Sequence, residues 1–326
     1  MLAKSIKLLV NTFAVAGALA LAPAYGNTYP ERPIRVVVPF PAGGSTDLTA
    51  RLLGERLGQA LGQPIIIENR PGANGSIGAD NVARANPDGY TLLFGTSGVL
   101  TINPSLYSTL RFNTLKDFAP VAVACFSRVV LVAKPSLPVK NLTELIQLAK
   151  TEPDALTFAS TGTGSIAHLA GEMLNKRADI KLRHIPYKGA SPAMQDLLGG
   201  RTDLMFDALV TSLPLIQAGK LKALAIPSPS RFPSLPDVPT FSEAGLPDFD
   251  VTVWNGFVAP TGTPPAIVEQ LNHEINKILK NPDVQAQLLK QGLEPAPQSV
   301  AGFQSRLKND LERWPAIVKS SGAALQ

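Results

Sequence analysis

Short β-branched runs alternate with helical patterns along most of this chain, and that alternation restricts the fold more than any other feature. Strands are expected at residues 34–39, 64–68, 91–95, 156–160, 181–185, 203–206 and 221–226, with one or two more inside 121–133. Helices at 48–61, 77–85, 142–150, 165–176 and 192–198 fall between them. Asn141 and Glu144 are spaced like a capping box before the third. Such a rhythm builds parallel α/β sheets with helices on both faces. Residues 227–247 interrupt it with repeated prolines, each of which removes a backbone donor and blocks a helix. One strand (253–258) and three helices (264–279, 283–291 and 300–319) finish the chain. A tail with a single strand is expected to return and complete the first sheet. Residues 27–126 plus 251–326 then form one discontinuous lobe and residues 127–250 a second, inserted lobe. A cleft between two such lobes is a common ligand site.

The N-terminus says where the protein works. Lys4 and Lys7 precede an apolar stretch over residues 8–22, and Ala22-Pro23-Ala24 offers the small residues of a cleavage site. Residues 1–26 read as a secretory signal peptide, with an apolar run at the short end for a membrane span. What remains is a soluble exported chain of about 300 residues, enough for one large or two medium cores. The formal charge is +5, and losing Lys4 and Lys7 with the leader leaves +3. That small surplus, without basic runs, argues against nucleic acid. Cys125 is the single cysteine and lies in the apolar run VAVACFSRVVLV, so it reads as a buried thiol. His168, His184 and His273 are the only histidines, and their spacing matches no metal site. No metal or cofactor is expected.

Two stretches carry the chemistry. In IRVVVPFPAGGSTDLTARLLGERL a strand ends, passes Gly43-Gly44 and opens into a helix that Ser45, Thr46 or Asp47 would cap. In TFASTGTGSIAHLAGEML the pattern recurs, with Ser165 as the expected N-cap and His168 in the first turn. Each lobe therefore offers a helix N-terminus with free backbone N–H groups. One terminus facing an anion contributes about 0.3–1 kcal/mol when exposed and up to ~2 when partly buried. Two fall short of the ~8 kcal/mol behind a micromolar dissociation constant. Further hydrogen bonds and exclusion of water must supply the rest, as in a clamp closing on a small anion.

Other readings of these turns are weaker. Residues 162–167 match G-x-G-x-x-A, but the match sits mid-chain in an exported protein. GANGSIG (72–78) lacks the lysine of a phosphate-binding P-loop. Ser45 and Ser165 leave open an exported serine hydrolase, although neither stands in G-x-S-x-G.

The motifs PFPAGGSTD, ENRPGANGSIGAD, PDGYTLL, TGTGSIAH, YKGASPAMQDLLGGRTDLMFD and WNGFVAPTGTP together span the chain in order. In them it closely resembles the extracytoplasmic solute receptors of the tripartite tricarboxylate transporter family, often called Bug receptors. The resemblance implies a type II periplasmic binding-protein fold, two α/β lobes with a ligand cleft between them. It further implies a periplasmic, non-enzymatic receptor for a small organic carboxylate: a di- or tricarboxylate, an acidic amino acid or an aromatic acid. The implied partner is a two-component membrane permease, with the receptor itself monomeric. A sensor that hands its closed form to a membrane signalling partner is a second possibility.

Mapped onto this sequence, the resemblance puts ligand contacts in the loops 40–47 and 160–168, partly through water. Gly43, Gly44, Gly162 and Gly164 would let backbone approach the anion. Ser45, Thr161 and Ser165 offer hydroxyls, with Ala42, Asp47, Ser160 and His168 in the same loops. Neither turn contains Arg or Lys, so recognition would rest on N–H groups, hydroxyls and water. Phe40 either walls the cleft or packs in the core. Thr96 and Ser97 either line the cleft or shape a turn. Asp207 follows a strand and would accept from a ligand ammonium or hydroxyl, or cap the next helix. Asn69 is expected to support the first loop.

Overall fold

The computed structural model describes residues 29–321; the expected leader, residues 1–26, lies outside the described residues. In chain order the strands are β1 (Ile34–Val38), β2 (Ile65–Asn69), β3 (Thr91–Thr96), β4 (Phe118–Ser127), β5 (Val129–Ala133) and β6 (Thr157–Ser160). They continue as β7 (Arg183–Pro186), β8 (Leu204–Ala208), β9 (Lys222–Ala225), β10 (Val253–Pro260) and β11 (Leu293–Pro295). Helices of eight residues or more are α1 (Ser45–Leu61), α2 (Ser76–Ala83), α3 (Leu142–Thr151), α4 (Ile166–Ala178) and α5 (Ala190–Leu198). The rest are α6 (Leu209–Gln217), α7 (Pro265–Leu279), α8 (Pro282–Lys290) and α9 (Val300–Ser321).

Two sheets result, and they share one plan. The first runs β11-β4-β10-β3-β1-β2 and the second β7-β6-β8-β5-β9. In the first, β1 lies between β2 and β3 and parallel to both. In the second, β6 lies between β7 and β8, again parallel. Each parallel trio is followed by an antiparallel strand that arrives from the other sheet: β10 against β3, β5 against β8. The crossing from β4 to β5 takes only Arg128; the return uses the proline-rich segment 226–252. This is the two-lobed type II periplasmic binding-protein fold. A plan repeated twice places β1 and β6, with the loops after them, at equivalent positions in the two lobes.

The cores follow from the side chains. Val37, Leu93, Val123 and Trp254 are fully buried in the first lobe. Leu131, Phe158, Leu174, Phe206 and Phe241 are buried in the second. Each such side chain contributes about 1.5–3 kcal/mol relative to exposure. The last helix serves both cores. Phe303 and Leu307 of α9 join the first cluster, whereas Trp314 and Val318 join the second. Residues 300–321 therefore tie the two lobes together rather than covering only the first.

Three local expectations change. The tail contains a second strand, β11, formed by pairing with β4. Helix α1 begins at Ser45, three residues ahead of the expected start, with Gly44 at its N-cap and no side-chain cap bond. Strand β8 continues to Ala208, so Asp207 lies within it rather than after it. The capping box before α3 forms with a shift: Asn141 accepts from Glu144 N at 2.9 Å, while Glu144 accepts from Lys140 N at 2.8 Å.

Candidate functional site

The loops that carry the glycine turns leave the carboxyl ends of β1 and β6, where open α/β sheets form ligand sites. In the first, β1 runs through Pro39-Phe40-Pro41 to Ala42-Gly43-Gly44. Residues 41–45 are exposed. Gly43 has φ +81°, a conformation that glycine adopts without penalty. Its N–H donates to Asp47 Oδ2 at 2.9 Å. Asp47 also accepts from Arg51 Nε at 2.9 Å and from Asn69 Nδ2 at 2.9 Å. The Asn69 amide then reaches the Phe40 carbonyl at 3.0 Å. The end of β2 is thereby sewn to the loop after β1, as expected for Asn69. Arg51, first of all, holds the Asp47 carboxyl down to about 2, against the opposing effect of burial.

Two expectations are corrected here. None of Ser45, Thr46 and Asp47 caps α1. Asp47 is buried, with one oxygen on Gly43 and Arg51 and the other on Asn69, so its carboxylate shapes the turn instead of facing a ligand. The Gly43 N–H is likewise consumed. The open donors are the N–H groups of Gly44, Ser45 and Thr46, which find no acceptor among the described residues. Gly44 has φ −77°, and a Cβ there would meet only Pro41 O at 3.6 Å. The fold itself therefore has no need of glycine at 44.

The second turn is built from neutral groups. Ser165 is the N-cap of α4, as expected, and accepts from His168 N at 3.3 Å. Ser160 Oγ accepts from Gly162 N at 3.1 Å and lies 2.6 Å from His184 Nε2. Gly164 N donates to His168 Nδ1 at 3.1 Å. The donors with no acceptor among the described residues are those of Thr161, Thr163, Ile166 and Ala167. Thr161 is exposed, and Gly162 and Ser165 are half-buried. Gly164 has φ +78°, and a Cβ on it would lie 3.2 Å from Leu106 of the first lobe. The second turn thus sits against the segment that follows β3.

The remaining expected residues are partnered inside the fold. Thr96 ends β3 and accepts from Val99 N at 3.3 Å. Ser97 is fully buried; its hydroxyl accepts from Trp254 N at 3.4 Å and its carbonyl from Thr101 Oγ1 at 2.7 Å. Beyond them the chain makes a π-type turn, in which Asn103 N bonds the carbonyl of Gly98. Both residues shape that turn, the second of the two roles open to them. Asp207 is buried and accepts from the hydroxyls of Thr211 and Ser212. Burial pushes its carboxyl up. Phe40 is half-buried and packs against the first core. Ser160, Gly164 and His168 are buried under the second turn.

His184 has no place in the expectations drawn from sequence. It stands on β7, and its ring stacks on His168 at 3.9 Å between centroids and 17° between planes. No motif marks it, because RHIP is an ordinary edge-strand sequence and the contact is tertiary. The Ser160–His184 contact has the look of a nucleophile and base. Yet Ser160 is fully buried and its oxygen is occupied by Gly162. Cys125 is fully buried as expected, its thiol pushed up to about 12 by desolvation.

Comparison with known proteins places this geometry. The model of the tripartite tricarboxylate transporter family receptor matches residues 49–323. The periplasmic binding protein BugD is 38% identical, with a TM-score of 0.76 over 91% of this chain and 100% of BugD. Rpa4515 of R. palustris, solved with adipate, is 36% identical, with a TM-score of 0.79 over 91% of this chain and 99% of that one. MatC from Rhodopseudomonas palustris, solved with bound malate, is 37% identical, with a TM-score of 0.75 over 89% and 100%.

Proposed function

The chain belongs to the tripartite tricarboxylate transporter receptor family, and on that premise we propose that it captures a small organic carboxylate, a dicarboxylate foremost, between its two glycine turns. It is a periplasmic solute-binding protein and not an enzyme. The observation that carries the ligand class is the pairing of the turns. Each lobe ends the middle strand of its parallel trio at a helix N-terminus whose leading N–H groups have no acceptor within the described chain. Such groups favour a carboxylate. A ligand with a carboxylate at one end and polar groups at the other can engage both turns. The relatives solved with adipate and malate carry dicarboxylates, which supports this reading for the present chain.

On this reading the contacts come from Ala42, Gly44 and Ser45 in the first turn and Thr161, Thr163 and Ile166 in the second, with Phe40 as a wall. Gly43, Asp47, Ser160, Gly162, Gly164, Ser165 and His168 hold the turns in shape. Residues 32–126 with 251–299 make up the first lobe, 127–250 the second, and α9 spans both. The receptor leaves the cytoplasm through its N-terminal leader, works as a monomer and delivers its ligand to the membrane components of a tripartite tricarboxylate-type transporter. Malate, adipate, citrate, glutamate and benzoate, each in a thermal-shift series, test the ligand class. A binder present at about a hundredfold its Kd stabilises by about 2.7 kcal/mol and raises the Tm. If all five leave the Tm unchanged while a neutral sugar raises it, the carboxylate reading falls.

A further inference from the structure

Under the second turn lies a cluster that ligand capture alone does not require. His168 on α4 and His184 on β7 come from different elements and meet ring to ring, 3.9 Å apart. Phe158 of β6 closes the stack, 5.0 Å from His184 and nearly parallel to both rings. Each imidazole grips the turn through a different nitrogen. His168 Nδ1 takes the N–H of Gly164, and His184 Nε2 lies 2.6 Å from the Ser160 hydroxyl, whose oxygen in turn holds the N–H of Gly162. Gly162 and Gly164 both have positive φ, +135° and +78°, so the pair fixes the two residues at which the turn departs from ordinary backbone.

We propose that the stacked His168–His184 pair positions the second anion-binding turn, holding Gly162 and Gly164 so that the donors of Thr161, Thr163 and Ile166 stay open to the ligand. Both rings act as acceptors or as partners of a hydroxyl, roles that an imidazolium cannot fill at His168 Nδ1. The surroundings keep them neutral. His168 Nε2 faces Glu172 Oε1 of its own helix at 3.9 Å. From β6 the neighbours are Phe158 and Ser160, and from β7 His184, so Glu172 is the one charged group in these contacts. Burial pushes His168 down, and burial followed by the neighbouring His168 pushes His184 down to about 4. Two stacked rings cannot both take up protons without repulsion. The turn therefore keeps its shape near neutral pH and loses it on acidification.

The proposal rests on the carboxylate reading only for its binding arm, and two measurements keep the failures apart. Long-range 1H–15N NMR of the unliganded protein should show His168 as the Nε2–H tautomer near pH ~7. The Gly164 amide resonance should move with the same midpoint as the His168 ring. Protonation of His168 at Nδ1, or a Gly164 amide indifferent to that titration, overturns the proposal whether or not a ligand is known. The binding arm uses malate and adipate. His168→Phe and His184→Phe should each weaken Kd by about tenfold or more, the size of one lost hydrogen bond with its partner left unmatched. His168→Asn and His184→Gln, whose amides replace Nδ1 and Nε2 respectively, should stay within about threefold of the wild type. The His168→Asn/His184→Gln double variant should lose the part of the acid-induced weakening that the ligand's own titration does not account for. Folded Phe variants that bind as the wild type overturn the positioning role, as does failure of Asn and Gln to rescue. If neither acid binds the wild type, the dicarboxylate preference fails, and the NMR measurement alone decides the pair.

Discussion

The two turns occupy equivalent places in two equivalent sheets, yet they are held by opposite means. The first depends on charge: Asp47, sandwiched between Arg51, Asn69 and the Gly43 N–H, pins an exposed loop. The second depends on neutral rings and hydroxyls, with His168 and Ser160 buried beneath it and His184 half-buried. A carboxylate at about 2 stays ionised through any physiological acidification. Imidazoles pushed downward are neutral near pH ~7, and His184, pushed to about 4, takes up a proton only well below neutrality. One fold thus solves the same problem twice, once with a lock that acid leaves alone and once with a lock that acid opens.

The glycines should break the symmetry most strongly. Gly164→Val puts a β-branched side chain at φ +78° and against Leu106 at 3.2 Å. Strain and overpacking together should remove about 2–5 kcal/mol from the unfolding free energy. Gly44→Val, at φ −77° with room for its Cβ, should leave stability within about 0.5 kcal/mol of the wild type. Binding of malate or adipate should nonetheless disappear. Urea titration and calorimetry of both variants separate the two effects. Equal destabilisation at both positions would erase the distinction between a glycine the fold needs and one the ligand needs.

Much of this arrangement was legible in the sequence. Alternation and β-branched runs located the parallel strands, most plainly β1, β3 and β8, which are buried with nearly continuous apolar residues. Both glycine turns stood out since strand, small residues and helix lie in one local window. What escaped detection depended on distant partners. The Asp47–Asn69 bond closes over 22 positions, and Ser160–His184 over 24. Neither leaves a periodic trace. Strand β11 is three residues long and includes a proline, so only its pairing with β4 makes it a strand. The apolar stripe of α9 announces a packed helix, but stripe periodicity does not say that Phe303 and Trp314 serve different cores.

Acid should act on the second turn first. A histidine whose folded pKa is depressed binds fewer protons in the folded state than in the unfolded. Its contribution is complete above the ordinary 6.5 and is lost as pH falls toward about 4 for His184. The loss is at most about 3 kcal/mol, at roughly 1.4 kcal/mol per pH unit of displacement. Urea midpoints measured at steps from pH ~7 to ~4 should slope downward, and His184→Gln should flatten that slope. Asp47 contributes in the opposite acid range, with stability present above 3.8 and lost only as pH falls toward about 2. Asp47→Ala should therefore lower stability by about 1–3 kcal/mol at every pH in the window without changing the slope, because it removes the bonds that Asp47 accepts from Gly43 N, Arg51 and Asn69 Nδ2. A pH-dependent Asp47→Ala effect between ~7 and ~4 would mean that the first lock is not the acid-resistant one.

The finest distinction lies in two serines at the starts of the corresponding helices. Ser165 is an N-cap, its hydroxyl taking the His168 N–H at 3.3 Å. Ser45 is the first residue of α1, its side chain exposed and outside the N-cap position. Ser165→Ala should cost about 0.5–2 kcal/mol, the usual cost of losing a cap. Ser45→Ala should change stability by less than about 0.5 kcal/mol, as for a surface hydroxyl. For ligand affinity the order should reverse. The Ser45 hydroxyl is free to bond a carboxylate oxygen, worth about 0.5–1.5 kcal/mol or several-fold in Kd. The Ser165 oxygen already serves its own helix, so its removal reaches the ligand only through the shape of the turn. Chemical denaturation and calorimetric titration on the same two variants give four numbers. The crossed pattern, with Ser165→Ala weaker in stability and Ser45→Ala weaker in binding, is the outcome that two differently built turns require.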